Sequence, residues 1–99
     1  MGRAQMKVEV KFFTSLREIT GKKSDEIQLQ NVITVEELLT LLSEKYGKKF
    51  REYIYNKEGK LQNFLSFLVN GKNINVLQGF DTELKQGDII AIIPPVGGG

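Results

Sequence analysis

Near its end the chain carries an unbroken apolar run, Ile89-Ile90-Ala91-Ile92-Ile93, which Pro94 and Pro95 follow directly. A short run of this kind favours a strand, and the prolines end it because they lack an amide hydrogen and fix φ. The pattern predicts a central strand that is covered on both faces, although a strand with one exposed face used for binding gives the same pattern. The fold must therefore be built around this strand.

The length and composition limit the remaining choices. The chain has 99 residues, which is enough for one core and too few for two. Its 40% hydrophobic and 26% charged residues are typical of a folded globular protein. A formal charge of +2 gives no indication of nucleic acid binding, and no stretch has the apolar length of a signal peptide or membrane span. We expect a cytoplasmic protein that binds neither nucleic acid nor membranes.

Two alternating stretches, residues 7–13 and 25–30, predict strands that pair as a hairpin. Between them, Ser15 and Glu18 have the spacing of a capping box, which predicts a helical turn that begins there and ends at Gly21. The side chains expected to face the core are Val8, Val10, Phe12, Ile27 and Leu29.

A longer helix follows the predicted hairpin. Thr34 and Glu37 form a second capping-box pattern, and Gly47 is expected to end the helix. Apolar residues then recur at the spacing of one helical face, which favours packing against a sheet. These residues are Val35, Leu38, Leu39, Leu42 and Tyr46.

The second half of the chain is less regular. Residues 48–63 have the weakest pattern and predict at most a short helix, whereas residues 64–69 predict a strand. Asn70-Gly71 is a strong signal for a tight turn into a short fourth strand, and residues 81–84 are interpreted as a turn.

This order of elements predicts an α+β fold of two layers. We expect a mixed sheet of four to five strands with one main helix packed across it, which is the β-grasp (ubiquitin-like) arrangement. In that fold the first and last strands lie side by side at the centre of the sheet.

The chain contains no Cys and no His. It therefore lacks thiol nucleophiles, disulfides, thiolate metal ligands and imidazole acid–base groups. Asp, Glu and Lys remain, so the composition alone leaves enzyme activity open. Glu18, Glu36 and Glu37 have capping or helix-dipole roles instead, and we expect a protein that is not an enzyme on its own and that binds no metal or cofactor.

The chain ends in Val96-Gly97-Gly98-Gly99, with a carboxylate at Gly99 that is ionised at neutral pH. Glycines have no side chains, so this segment can approach another surface closely. Fully extended, residues 94–99 reach about 20 Å. We expect a frayed extension over residues 1–5, a folded domain over 6–93 and a flexible tail over 94–99.

Three stretches of the chain match the pattern of a known family. They are Phe13-Thr14-Ser15-Leu16-Arg17-Glu18-Ile19-Thr20-Gly21, Val69-Asn70-Gly71, and Leu84-Lys85-Gln86-Gly87-Asp88 with the run through Gly99. They resemble the MoaD/ThiS family of ubiquitin-like sulfur carriers, and within it most closely MoaD, the small subunit of molybdopterin synthase. The ending is the most specific of the three. The stretch over residues 48–64 is longer than in many MoaD proteins, and Gly97 stands where the family commonly has Ser or Ala.

The resemblance implies a carrier whose Gly99 is joined to AMP by an adenylating enzyme, which uses ATP, and is then converted to a thiocarboxylate. The large subunit of molybdopterin synthase would receive the tail and use its sulfur to build the dithiolene that holds molybdenum or tungsten. Gly98 and Gly99 would carry the chemistry, and the partners would contact the preceding residues. These residues are Ile93, Pro94, Pro95, Val96 and Gly97.

Three other functions remain open for the same tail. The first is sulfur transfer for thiamin synthesis or transfer RNA thiolation. The second is modification of target-protein lysines through Gly99, in the manner of ubiquitin. The third is a plain β-grasp binding module with an inert tail, for which the apolar Ile93 is simply part of the core.

Overall fold

A computed structural model describes residues 6–95, and in these residues a five-stranded sheet runs in the order β2-β1-β7-β4-β5. A separate pair, β3 and β6, forms a second small sheet. The observed sheet confirms the predicted mixed β-grasp arrangement. The strands are β1 (Met6–Phe12), β2 (Ser24–Leu29), β3 (Ile33–Thr34), β4 (Ser66–Val69), β5 (Lys72–Asn73), β6 (Glu83–Leu84) and β7 (Ile89–Ile93).

Three α-helices accompany the sheet: α1 (Ser15–Thr20), α2 (Val35–Tyr46) and α3 (Lys48–Ile54). The capping box predicted for α2 is present, because Glu37 N donates to Thr34 Oγ1 at 3.2 Å and Thr34 N donates to Glu37 Oε1 at 2.9 Å. The buried face of α2 joins the buried face of the sheet in one hydrophobic core. The prediction of which side chains of α2 face the core is therefore confirmed.

Strand β7 occupies the middle of the sheet. It runs parallel to β1, with Phe12 beside Ile92, and antiparallel to β4, with Ser66 opposite Ile93. The predicted contact between the first and last strands is therefore confirmed. Ile90 and Ile92 are fully buried, and each such side chain stabilises the fold by about 1.5–3 kcal/mol.

The structure decides between the two alternatives predicted for β7: one face of the strand is open, and cover on both faces is wrong. Ile89 is 36% exposed, and Ala91 and Ile93 are only half-buried. These three side chains alternate with Ile90 and Ile92, so they point to the side of the sheet away from α2. The described chain places no layer on that side. We call it the open face of the sheet.

Two local predictions also require correction. The first helix spans the predicted residues, but Ser15 and Glu18 form no capping box, because Ser15 is already inside α1. The residue before it is Thr14, which has φ 46° and makes no side-chain cap. Residues 81–84 are not simply a turn, because Glu83–Leu84 pairs with Ile33–Thr34 as β6 and β3. Two-residue strands leave too short a pattern to detect in a sequence.

The start of β7 is held by a polar clamp between Asn70 and Asp88. Asn70 Oδ1 accepts from Ile89 N at 2.9 Å, and Asn70 Nδ2 donates to Asp88 Oδ1 at 2.9 Å. The other oxygen of Asp88 accepts from Lys85 N at 2.8 Å. Asn70 and Gly71 have φ of 51° and 84°, as the predicted tight turn requires. The turn and the Gly-Asp motif thus fix where β7 begins.

A buried carboxylate joins β2 to α2. Asp25 is 8% exposed, and it accepts hydrogen bonds from Lys45 Nζ at 2.7 Å and from the hydroxyl of Tyr46. Lys22 Nζ lies 3.5 Å from its other oxygen. Burial alone would raise the pKa of Asp25, but the hydrogen bonds from Lys45 and Tyr46 and the two positive charges together hold it below its usual value. Burial and the hydrogen bond to Asp25 raise the pKa of Tyr46.

We predict that replacing Asn70 with Ala lowers the free energy of unfolding by about 2–3 kcal/mol. The substitution removes two side-chain hydrogen bonds, at roughly 1 kcal/mol each, and places an alanine at positive φ, at about 1 kcal/mol. Denaturant unfolding measures the change. The control is Asn75→Ala. The side chain of Asn75 is exposed, so its removal should lower the free energy of unfolding by less than about 0.5 kcal/mol. Equal losses in both variants would contradict the clamp.

We predict that Asp25→Asn destabilises the protein at pH 7 by about 1.5–3 kcal/mol, because a charged acceptor is lost. Since the folded pKa of Asp25 is lowered, its stabilisation is present above the unfolded pKa of about 3.9 and disappears as the pH falls through the folded value. Denaturant unfolding across this range should therefore show the two stabilities converging at low pH.

The control for this series is Glu26→Gln. Glu26 is the next residue along β2, but its side chain is 70% exposed and lies 3.8 Å from Lys7 Nζ. Exposed pairs contribute at most about 1 kcal/mol. A difference between wild type and Asp25→Asn that does not change with pH would show that the Asp25 charge has no stabilising role.

Candidate functional site

The candidate site is the end of β7, where the chain leaves the sheet. Ile93 is the last residue of the strand and lies opposite Ser66. Pro94 follows half-buried and Pro95 is exposed. Because neither proline has an amide hydrogen, the ladder between β7 and its neighbours stops here. The chain therefore leaves the sheet at its central strand.

The predicted site residues divide into two groups. Ile93, Pro94 and Pro95 lie in the described chain, and Ile93 points to the open face. The predicted carriers Gly98 and Gly99, with the predicted contact residues Val96 and Gly97, lie outside the described residues. The role of Gly99 therefore stays a prediction.

The end of β1 lies next to the end of β7. The parallel register places Phe12 beside Ile92, and the half-buried Phe13 follows directly after β1. Arg17 Nε donates to the carbonyl of Phe12 at 3.0 Å, and its guanidinium lies 5.5 Å from the centre of the Phe13 ring. The geometry fits a cation–π contact. The stretch that begins at Phe13 and the C-terminal stretch, both noted in the sequence, therefore lie close together at the ends of β1 and β7.

An apolar patch covers the centre of the open face. Leu68 of β4 lies opposite Ala91, and Ile89 and Ile93 occupy the same face of β7. Their side chains are half-buried or exposed. Beside them, Lys7, Glu9 and Lys11 of β1 form a charged border. We call the four apolar residues the open-face patch, and they are Leu68, Ile89, Ala91 and Ile93.

Sequence reasoning missed Leu68 as a surface residue. It lies between Phe67 and Val69, which are 4% and 5% exposed, so residues 67–69 look uniformly buried in the sequence. Strand alternation places Leu68 on the opposite face from its neighbours. That alternation was the available signal, but the apolar run concealed it.

The groups gathered at this end are a guanidinium, aromatic rings and aliphatic side chains, which recognise surfaces by stacking, burial and charge. Among residues 6–95, no three His, Cys, Asp or Glu side chains are grouped as a metal site requires. In the same part of the chain, no helix has the length and apolar character needed to cross a membrane.

Three relatives share substantial sequence with the chain. A putative sulfur carrier protein of Archaeoglobus fulgidus is 42% identical over 67 residues, covering 68% of this chain and 75% of the relative. Small archaeal modifier protein 3 of Haloferax volcanii is 32% identical over 95% of this chain and 100% of its own length. A molybdopterin synthase sulfur carrier subunit of Drosophila yakuba is 30% identical over 93% of this chain and 90% of the relative.

Solved structures have the same fold. The solution structure of small archaeal modifier protein 1 from Methanosarcina acetivorans matches with a TM-score of 0.82 and 33% identity, covering 98% of this chain and 100% of that one. A chain of the BexX/CysO complex of Amycolatopsis orientalis matches with a TM-score of 0.74 and 32% identity, over 93% and 99% of the two chains.

The model of the ThiS family matches residues 10–99, which include the end of β7 and the sequence that follows it. The fold, the relatives and the family match agree with one another, and the resemblance noted in the sequence is confirmed. The chain therefore belongs to the ThiS family of β-grasp proteins, among whose relatives are sulfur carriers and ubiquitin-like modifiers.

Proposed function

We propose that the chain is a sulfur carrier that works through a thiocarboxylate at Gly99, and that its acceptor is the large subunit of molybdopterin synthase. The observation that carries the proposal is the course of β7. The central strand of the sheet delivers the chain, through Pro94 and Pro95, to the border of an apolar open face. The sequence that follows ends in Gly98-Gly99. The relative from Drosophila yakuba, named as a molybdopterin synthase sulfur carrier subunit, supports this acceptor.

The chemistry begins with an unreactive group. A carboxylate resists nucleophilic attack because its charge is delocalised over two oxygens. A carboxylate oxygen of Gly99 attacks the α-phosphorus of ATP, and pyrophosphate leaves. Hydrosulfide, or an equivalent donor of sulfide, then adds to the carbonyl carbon of the mixed anhydride, AMP leaves with the bridging oxygen, and the thiol proton is lost to solvent. The carboxylate thus becomes a thiocarboxylate.

The partners supply the catalytic groups in this scheme. An adenylating enzyme related to ubiquitin-activating enzymes binds ATP and performs the first step, and the synthase large subunit takes up the sulfur. The chain itself contributes the tail and a surface for recognition, so it is not an enzyme on its own. The open-face patch suits that recognition because it lies beside the root of the tail. We place the protein in the cytoplasm, with these partners.

We predict that intact mass spectrometry of the protein, purified from its own cells, detects a form in which one oxygen is replaced by sulfur. Incubation with the adenylating enzyme and ATP should give an AMP adduct. Both forms should be absent from a variant that lacks Gly99, because its carboxylate ends about 3.5 Å short of the reacting position.

The matched control lacks residues 1–5, at the other end of the chain, and should acquire both modifications at the normal level. The Gly99 deletion leaves a carboxylate at Gly98, so the comparison tests the reach of the tail rather than the presence of the group. Sulfur or AMP on the Gly99-deleted variant, or their absence from the wild type under all growth conditions, would refute the proposal.

A second candidate function is protein modification through Gly99. Two similar proteins are named as small archaeal modifiers, and each aligns with 95% or more of this chain. In this function the amine of a target lysine, rather than sulfur, displaces AMP and leaves an isopeptide. A third possibility, sulfur transfer for thiamin or transfer RNA thiolation, uses the same thiocarboxylate with another acceptor.

Conjugation and sulfur transfer predict different products in the cell. If the chain is a modifier, an antibody against it should detect species of higher mass, and these should disappear when Gly98 and Gly99 are removed. If it is only a sulfur carrier, the free thiocarboxylate form accumulates without conjugates. Trypsin cleaves after Lys85, the last basic residue of the chain. Tryptic peptides in which a target lysine carries residues 86–99 as a branch would therefore establish conjugation. Their absence at all growth conditions would exclude it.

A further inference from the structure

A basic groove lies at the end of β1, the strand next to β7, between β1, α1 and the start of β2. It encloses about 240 Å³. Glu9 and Lys11 alternate with buried residues of β1, so their side chains lie on the open face. The residues that line the groove are Glu9, Lys11, Phe12, Phe13, Arg17, Lys23 and Ser24. The groove therefore combines three cations with one carboxylate.

The three cations of the groove have no ionic partner among residues 6–95. The ion pairs in that part of the chain use Lys7, Lys22, Lys45 and Lys48 instead. Arg17 is fixed in place, because its guanidinium donates to the carbonyl of Phe12 and covers the Phe13 ring. With Glu9 included, the groove carries a net charge of +2, and its three cations form no ion pair in the described chain.

The groove is close to the root of the tail. Strand β1, which forms one wall, lies next to β7, and neighbouring strands are about 4.8 Å apart. The residues after Pro95, numbers 96–99, reach at most about 14 Å when fully extended. A partner that takes Gly99 into its active site must therefore bring its own surface against the region around the tail root. The groove lies within that region.

We propose that the basic groove binds an acidic segment on the rim of the adenylating enzyme's active-site cleft. The inference rests on the proposed function, because entry of the tail brings that rim to the groove. Carboxylates complement the three cations, and the planar guanidinium of Arg17 suits bidentate contact with one of them. Such complementary charge speeds association and fixes the orientation of the partners.

The test uses the double variant Lys11→Glu, Lys23→Glu, which reverses two charges and leaves Arg17 and its contacts intact. Carrier-dependent exchange of pyrophosphate with ATP is measured with the adenylating enzyme of the same organism, at physiological ionic strength, where attraction beyond about 8 Å is largely screened. We expect the KM for the carrier to rise roughly tenfold or more, because like charges then face each other. The kcat and the KM for ATP should change little.

The matched control is Lys57→Glu, Lys60→Glu, which changes the net charge equally in the exposed turn after α3. Its KM should stay within about twofold of wild type, because only weak long-range attraction is altered. Thermal unfolding checks that both variants fold.

The outcomes separate the two proposals. If the wild-type carrier supports no exchange, the proposed function fails and the groove proposal fails with it. If the wild type is active and the two double variants have equal KM values, the groove proposal alone is overturned. A rise in the KM for ATP in the groove variant would also overturn it, since the ligand would then be a nucleotide phosphate.

Discussion

The structure depends on the placement of one strand. β7 lies between a parallel neighbour, β1, and an antiparallel neighbour, β4, so its register is fixed from both sides. A shift by one residue would move Ile90 and Ile92 out of the core and bring Ile89 and Ala91 in. The clamp between Asn70 and Asp88 opposes such a shift because it holds the start of the strand. Because β7 is only five residues long, fixing its start also fixes the position of its last residue, Ile93.

This placement brings separated stretches of the sequence together at the two ends of one strand. Asn70 and Asp88 meet at the start of β7. Near its end, Ile92 lies beside Phe12, whose carbonyl accepts from Arg17. Each motif therefore has a physical task at one end of the same strand. Both ends of β7 matter for the position of Pro94, because the residue that follows a strand is held only as firmly as the strand itself.

Much of the fold could be predicted from the sequence, because α2 and the first hairpin have strong local patterns. The capping box at Thr34 and the turn at Asn70 are short-range signals, and both were correct. The burial of β7 was predicted less well, because a uniformly apolar strand gives no alternation to show which face is covered. The Asp25 cluster was missed for a related reason. A carboxylate on the inward face of β2 is stable only because Lys45 and Tyr46 reach it from α2, and sequence spacing does not show that contact.

If the protein is a carrier as proposed, the open face, with Pro94 and Pro95 at its border, is the side that meets the activating partner. A photo-crosslinking residue in place of Leu68 tests this claim directly, with the same residue in place of Leu41 on the outer side of α2 as the comparison, since Leu41 is 41% exposed. Illumination with the adenylating enzyme and ATP should crosslink the variant at position 68 and leave the variant at position 41 free. Crosslinking from position 41 but not from position 68 would contradict the account.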